Sequence, residues 1–421
     1  MERRAPPLPS RAVNVEVVNT GTELLLGNVV NSHLAFLAQA LFPLGLRIQR
    51  QVTVPDGDAI RDALKESFAR ADVVLVTGGL GPTTDDITRD VTAELLGAPL
   101  LEDREVLAAI HERFARRGFA LTERVKLQAL VPRGAAVLPN AHGTAPGLYF
   151  EKTENSPHLF LLPGPPRELK PMFNHSALPI LRRILPPGSV AECRSFTIPG
   201  VGESAVEAEI GEALLAIPGI ELGYCARPGS VDVRCIGSKE MLDRAEEIIM
   251  GRFREHVVAR DGRPLEAVIV GLLAARGAKL AVAESCTGGC LSNQITNVPG
   301  SSAVFIEGVV TYSNDAKTRL LEVDAVLLGE HGAVSAAVAS AMAENALRLS
   351  GADYALSLTG IAGPGGGTEG KPVGTVFIGL AGRGGVVKTH QHHFPTDRET
   401  FKYLASQTAL YHLHKTLISP P

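Results

Sequence analysis

The sequence predicts an α/β protein with two layered α/β domains joined by a small α+β domain. Three observations predict it. Apolar strands alternate with amphipathic helices through the first and last parts of the 421-residue chain, a pattern that builds a parallel sheet covered on both faces. Apolar residues make up 45% of the chain, enough for sizeable cores, and the length asks for more than one. Glycine (43) and proline (28) are abundant, as many tight turns between strands and helices require.

The first region spans residues 12–170. "VNVEVVNTG" reads as a strand entering a turn, and "NSHLAFLAQALFPLG" as a helix stopped by Pro and Gly. "LRIQRQVTVPD" is a strand and "GDAIRDALKESFARA" an amphipathic helix. "DVVLVTGGLGP" is a fully apolar strand running into a Gly-rich loop, followed by the helix "DDITRDVTAELLG". "HLFLLPGPPREL" supplies another buried strand, a turn and a helix start. The second region, 186–261, runs strand, helix, strand, strand, helix, and concentrates no chemistry. The third, 262–416, again alternates. The helix "LEAVIVGLLAARG" precedes the strand "AKLAVA", and "GGCLSNQITNV" is a helix before the strand "AVFIEGVVTYS". "SAAVASAMAENALRLSG" is a helix, "ADYALSLTGIAGPGGG" a buried strand with a glycine loop, "VGTVFIGLAG" a strand and "DRETFKYLASQTALYHLHKTL" a closing helix.

Composition excludes several function classes. A formal charge of −4 does not supply the basic face of a general nucleic-acid binder, and the absence of Trp with only six Tyr removes stacking platforms. Five cysteines without a C-x-x-C pair form neither a disulfide framework nor a zinc ribbon, and are expected as thiols. "MERRAPPLPSRAV" is basic but broken by prolines and is not read as a signal peptide. No window approaches the length of a membrane span, so a cytoplasmic protein is expected, without membrane or direct nucleic-acid partners.

In an open α/β sheet, ligands bind beyond the carboxyl ends of the strands. "AESCTGG" lies there, with Ser285 between a strand end and a helix start. Ser285 is either the N-cap of that helix or a nucleophile. Thr287, Gly288 and Gly289 come next as an expected helix N-terminus suited to an oxyanion or a phosphate. "VVTYSNDAK" brings Tyr312, Asn314 and Lys317 to the same edge, and "LTGIAGPGGG" brings Thr359 and Gly360. No His occurs in these loops, so a serine here needs Lys317 as its base, with a depressed pKa and with Tyr312 relaying the proton or orienting it. Cys286 is the competing nucleophile, with its Cβ expected to point the other way, into the packing.

These motifs, with "KPVGTV" and "DRE", resemble the PncC-type nicotinamide mononucleotide deamidase family, which forms the C-terminal half of CinA (competence/damage-inducible) proteins. The resemblance covers 262–416 and implies hydrolysis of nicotinamide mononucleotide to nicotinate mononucleotide and ammonia without a metal or other cofactor. It implies Ser285 as nucleophile, Lys317 as base, Tyr312 and Thr359 in the surrounding shell, and Arg398 as phosphate ligand. The chain reads "FPTDRE" where the family has Phe-x-Gly-Asp-Arg.

In the first region "TGGLGPTTDDITRD" joins a loop of Thr77, Gly78, Gly79 and Gly81 to the adjacent carboxylates Asp85 and Asp86. Backbone N–H groups approach an anion closely where glycine removes the Cβ. Paired carboxylates beside them suggest a divalent cation of the magnesium type, although one of the two can simply cap the next helix. Glu23, Asn140, Thr144 and Glu168 add polar groups at other strand ends. The set resembles the molybdopterin-binding MoaB/MogA-like fold in its CinA form, over 12–170, and implies a metal-dependent ADP-ribose pyrophosphatase. The middle region resembles a KH-like linker, but "PGVGES" lacks the basic flank that RNA binding needs. The expected substrates are nicotinamide mononucleotide and ADP-ribose, and the expected assembly is a homodimer, on the family and on the apolar helix "SAAVASAMAENAL". The alternative is a non-catalytic molybdopterin- or nucleotide-binding module in a competence-related adaptor.

Overall fold

The computed structural model describes residues 13–184, 192–385 and 387–419. The N-terminal segment and the predicted start of the middle region at 186 lie outside them. The chain divides into two compact units, 1–190 and 191–421.

In the first unit the strands are β1 (Val15–Thr20), β2 (Ile48–Val54), β3 (Val73–Thr77), β4 (Leu100–Glu102), β5 (Leu130–Pro132), β6 (Ala136–Leu138), β7 (Gly147–Phe150) and β8 (His158–Leu162). Six form one sheet in the order β2-β1-β3-β8-β7-β6, while β4 and β5 make a separate ribbon. The β2-β1-β3-β8 half is parallel, as the alternation predicts, but β7 runs antiparallel to both β8 and β6. β1 and β3 are buried at every position, including the polar Glu16, Asn19, Thr20 and Thr77. Their alternate residues feed two cores. Val18, Val74 and Val76 face one, and Val15, Val17, Val73 and Leu75 face the other.

The sequence-based boundary at 170 cuts a helical run. Helix Pro166–Met172 continues through a wider turn at Phe173–Ala177 into Leu178–Ile184. Pro171 does not end it, and Phe173, Ala177 and Leu181 are buried in the same core as β1. The extra apolar turns hold the chain in place where the proline signals a stop.

The second unit begins with β9 (Glu192–Pro199), β10 (Glu221–Arg227) and β11 (Ser230–Gly237), an antiparallel sheet in the order β10-β11-β9 carrying two helices, Glu203–Leu215 and Lys239–Phe253. This is the predicted strand–helix–strand–strand–helix order. The segment that leads on from it is not a detached linker. Thr197 N–H donates to Ala259 C=O and Gly262 N–H to Ser195 C=O, so the connecting segment adds to the β9 edge.

The remaining strands are β12 (Leu280–Glu284), β13 (Phe305–Val310), β14 (Tyr354–Gly360), β15 (Thr375–Gly382) and β16 (Val387–His393), in the order β13-β12-β14-β15-β16. The first three are parallel, and β15 and β16 add antiparallel strands. The chain leaves β12 for β13 on one side and returns to β14 on the other, so β12 sits at a topological switch point. The expected dimer helix, Ala336–Ser350, spends its apolar face internally. Val338, Met342 and Ala346 are buried in the core on one face of β12, and Ser357 Oγ donates to Ala339 C=O at 2.5 Å. Its composition therefore does not point to a partner subunit.

Candidate active sites

The β12 switch point holds a cavity of about 270 Å³ lined by Ser285, Cys286, Tyr312, Asn314, Lys317, Thr359, Gly360 and Arg398, among others. Parallel strands explain the convergence: Ser285 follows β12, Tyr312 follows β13, and Thr359 ends β14. Lys317 lies on helix Asn314–Leu321, whose N-cap Ser313 accepts from Ala316 N–H at 3.0 Å. That helix aims its ammonium inward. Lys317 is 1% exposed, with Nζ 2.9 Å from Ser285 Oγ and 2.8 Å from Thr311 O. Burial lowers the Lys317 pKa below that of an ordinary lysine. Burial also pushes the Cys286 thiol up to about 12, which leaves it neutral and unreactive near neutral pH.

Three expected roles change. Ser285 is not an N-cap. A turn covers 285–289, and the next helix, Cys290–Thr296, starts from Gly289 in the left-handed region (φ 95°). The start of that helix is not open to substrate charge, because the Glu284 carboxylate already occupies it. Its oxygens accept from Gly289, Leu291 and Ser292 N–H at 3.0, 3.1 and 2.8 Å. Thr287 is wholly buried, and Gly288 and Gly289 line a different recess, so this trio does not join the cavity expected to hold substrate. Tyr312 also differs. It is 61% exposed, and its hydroxyl accepts from Arg398 Nη2 at 2.7 Å, not from Lys317. Arg398 Nη1 donates to Gly363 C=O at 2.8 Å, tying the closing helix to the glycine loop. Thr359, also buried, donates to Ala333 C=O at 2.7 Å.

In the first unit a cavity of about 540 Å³ opens beyond β1, β3 and β8, lined by Glu23, His33, Gly78, Gly79, Gly81, Asp85, Asp86, Thr144 and Glu168, among others. The glycines are demanded by their neighbours. A Cβ on Gly78 would lie 2.5 Å from Thr20 O, one on Gly79 would overlap Thr88 Oγ1, and both residues have positive φ. Asp86 closes the loop on itself, its Oδ2 accepting from Thr83 N–H at 2.9 Å and from the Thr83 hydroxyl. It does not cap helix Thr88–Leu95, which has no side-chain cap. Asp85 is exposed. Asn140 lies beside this cavity and shapes it. Its Oδ1 accepts from Gly143 N–H at 2.7 Å, and its Nδ2 donates to Glu168 Oε2 at 2.8 Å.

Thr77 lies beneath the floor and exposes a residue that the sequence did not signal. Thr77 Oγ1 accepts from Asn19 Nδ2 at 2.7 Å and pairs with His33 Nδ1 at 3.1 Å. The hydroxyl oxygen can accept twice, so the direction of the Thr77–His33 bond follows the imidazole tautomer. Burial lowers the His33 pKa and favours the neutral ring. His33 reads in sequence as the first residue of an apolar helix, and its partner is 44 residues away.

A divalent cation here would have oxygen donors of the right chemistry in Asp85, Asp86, Glu23 and Glu168. No group of three or more His, Cys, Asp or Glu side chains among the described residues is placed to hold one alone. The donor set fits a hard cation only if bound phosphate oxygens complete its shell, as is usual for magnesium.

The fold and the two cavities define a class: a chain with a MoaB/MogA-like α/β domain and, C-terminal to it, a second α/β domain with a buried Ser–Lys pair. Residues 16–183 match the family described as probable molybdopterin binding domain, and 262–417 match the CinA C-terminal domain. The chain is 46% identical over 400 residues to a CinA-like protein of Akkermansia muciniphila, covering 95% of this chain and 96% of that one. It is 39% identical over 415 residues to a CinA-like protein of Geotalea uraniireducens, covering 97% and 98%. A crystal structure of the competence/damage inducible protein CihA from Agrobacterium tumefaciens is 41% identical, covering 35% of this chain and 91% of that one, with a TM-score of 0.35. The chain belongs to the CinA family. Among the described residues no helix is long and apolar enough to cross a membrane.

Proposed function

We propose that the C-terminal cavity hydrolyses the carboxamide of nicotinamide mononucleotide to nicotinate mononucleotide and ammonia. The observation that carries this reading is the buried contact between Lys317 Nζ and Ser285 Oγ at 2.9 Å. A neutral Lys317 keeps two N–H groups and one lone pair. One N–H can stay on Thr311 C=O while the lone pair accepts the Ser285 proton. Ser285 Oγ then bonds to the amide carbon, and the carbonyl oxygen takes the electron pair. As the tetrahedral adduct collapses, the C–N bond breaks and the Lys317 ammonium protonates the leaving nitrogen, releasing ammonia. Water, deprotonated by the same amine, opens the ester and restores Ser285. These steps call on no metal or other cofactor. The test is ammonia release from nicotinamide mononucleotide by the full chain and by Ser285→Ala. Undiminished release by the variant removes Ser285 from the mechanism.

For the N-terminal cavity we propose cleavage of ADP-ribose-type diphosphates, ADP-ribose first, with a magnesium-type cation held by Asp85 and its acidic neighbours together with the substrate. The cation would supply charge neutralisation at the diphosphate. The protein's own part is to shape the cavity through the Gly78–Gly79 loop and the Asn140–Glu168 contact. One observation favours a second reading, binding without turnover: Asp86 is already engaged by Thr83. Formation of AMP from ADP-ribose with magnesium, against saturable binding with no product, separates the two.

A further inference from the structure

Glu284 is the last residue of β12 and is fully buried. Its carboxylate accepts four hydrogen bonds: Oε2 from Gly289 and Leu291 N–H, and Oε1 from Ser292 N–H and from Ser292 Oγ at 2.6 Å. Among the described residues no cationic side chain forms an ion pair with it. The residue next in the chain is Ser285. The Glu284 C=O accepts from Thr311 N–H at 2.8 Å, and Thr311 C=O in turn holds Lys317 Nζ. Glu284 thus stands where the nucleophile's turn and the lysine's anchor meet.

The clamp also divides the N–H groups of the turn. Gly288 N–H goes to Ser285 C=O and Cys290 N–H to Thr287 C=O, both at 3.2 Å, while the carboxylate takes Gly289, Leu291 and Ser292. Cys286 N–H, next after the nucleophile and at the cavity wall, has no hydrogen-bond acceptor on another of the described residues. That leaves it for a developing oxyanion, where a held donor contributes most.

We infer that Glu284 is a positioning residue for Ser285: by binding the start of helix Cys290–Thr296 it holds the 285–289 turn with Ser285 Oγ on Lys317 and the Cys286 N–H unspent. This role rests on the Ser–Lys reading above. A carboxylate suits it because all three backbone partners can only donate. A carboxamide offers one acceptor oxygen and turns an NH₂ group toward the other donors.

The test uses the full chain and the variants Glu284→Gln and Ser292→Ala, with folding followed by circular dichroism and thermal melting. Ammonia release gives kcat and KM, and labelling of Ser285 by a fluorophosphonate reports the nucleophile whatever the substrate. Glu284→Gln is expected to lower kcat about 100-fold, the scale of a small misplacement, with KM for nicotinamide mononucleotide within about threefold and labelling slowed in parallel. Ser292→Ala deletes one bond of the clamp and guards against misfolding of the first variant. It is expected to lower kcat about threefold to tenfold. A folded Glu284→Gln with wild-type kcat and labelling overturns the proposal, as does a Ser292→Ala variant with unchanged kcat if Glu284→Gln does not fold. If wild type labels at Ser285 but releases no ammonia, the substrate reading fails and the labelling rates alone decide the role of Glu284. If wild type does neither, both readings fall.

Discussion

Lys317 Nζ and Ser285 Oγ lie 2.9 Å apart in a buried cavity, although 32 residues separate them in the chain. The lysine's other contact is the Thr311 carbonyl. Both depend on β12 and β13 running parallel, so that successive strand ends deliver their loops to one edge.

Ser285, not Cys286, is expected to carry the chemistry. Ser285→Ala should lower ammonia release by about 1000-fold or more, as loss of a nucleophile does. Cys286→Ala should stay within about threefold of wild type, because the neutral buried thiol contributes packing and costs about 1 kcal/mol when removed. Steady-state kinetics and denaturant melts of the two variants check both statements.

Activity should rise with pH. Lys317 acts as a base only when deprotonated, and burial lowers its pKa. The rising limb of kcat/KM should therefore level off below the pH of an ordinary lysine, about 10.4. Stability should move in the same direction. Between the folded value and the ordinary one the unfolded chain binds the Lys317 proton more tightly, so the folded state gains stability as pH rises through that window. Wild type should gain relative to Lys317→Met there, as read from denaturation midpoints. Parallel midpoints would mean that burial does not perturb the amine.

Tyr312 and Arg398 should separate in kinetics. The Tyr312 hydroxyl is bonded to Arg398 and not to Lys317. Tyr312→Phe should hold kcat within about fivefold, the cost of one hydrogen bond. Arg398→Ala should raise KM about tenfold to 100-fold with a smaller change in kcat, as loss of a charged phosphate contact does. A collapse of kcat in Tyr312→Phe would return the tyrosine to a proton-relay role.

The two units should part on metal removal. A chelator is expected to abolish AMP formation from ADP-ribose and to leave ammonia release unchanged. Asp85→Asn should mimic the chelator in the N-terminal reaction, because it removes the charge of an exposed carboxylate at the proposed cation position. Activity that persists in excess chelator would exclude the metal-dependent reading.

Much of the fold was legible because the signals were local. "VVLV" and "LAVA" are apolar throughout, and the burial of β3 and β12 is what such runs express. The antiparallel additions β7, β15 and β16 were not legible, since a strand's direction depends on its neighbours and not on its composition. The same holds in the sites. Ser285, Lys317, Thr359 and Arg398 stand in motifs whose types suggest chemistry, and the structure gathers them in one cavity. His33 carries no such mark, since it opens an apolar helix, and Glu284, although inside "AESCTGG", reads only as the end of an apolar strand.

By itself the sequence determined which segments become strands and helices, and which strand ends carry reactive side chains, because both depend on residue type and short-range period. Only the tertiary structure decided what each polar group faces. It placed the Glu284 carboxylate at the start of helix Cys290–Thr296, and it set the Tyr312 hydroxyl on Arg398. It also buried Lys317 against Ser285. Desolvation and hydrogen-bond pairing arise from groups distant in the chain, and those contacts exist only once the sheet has brought its edges together.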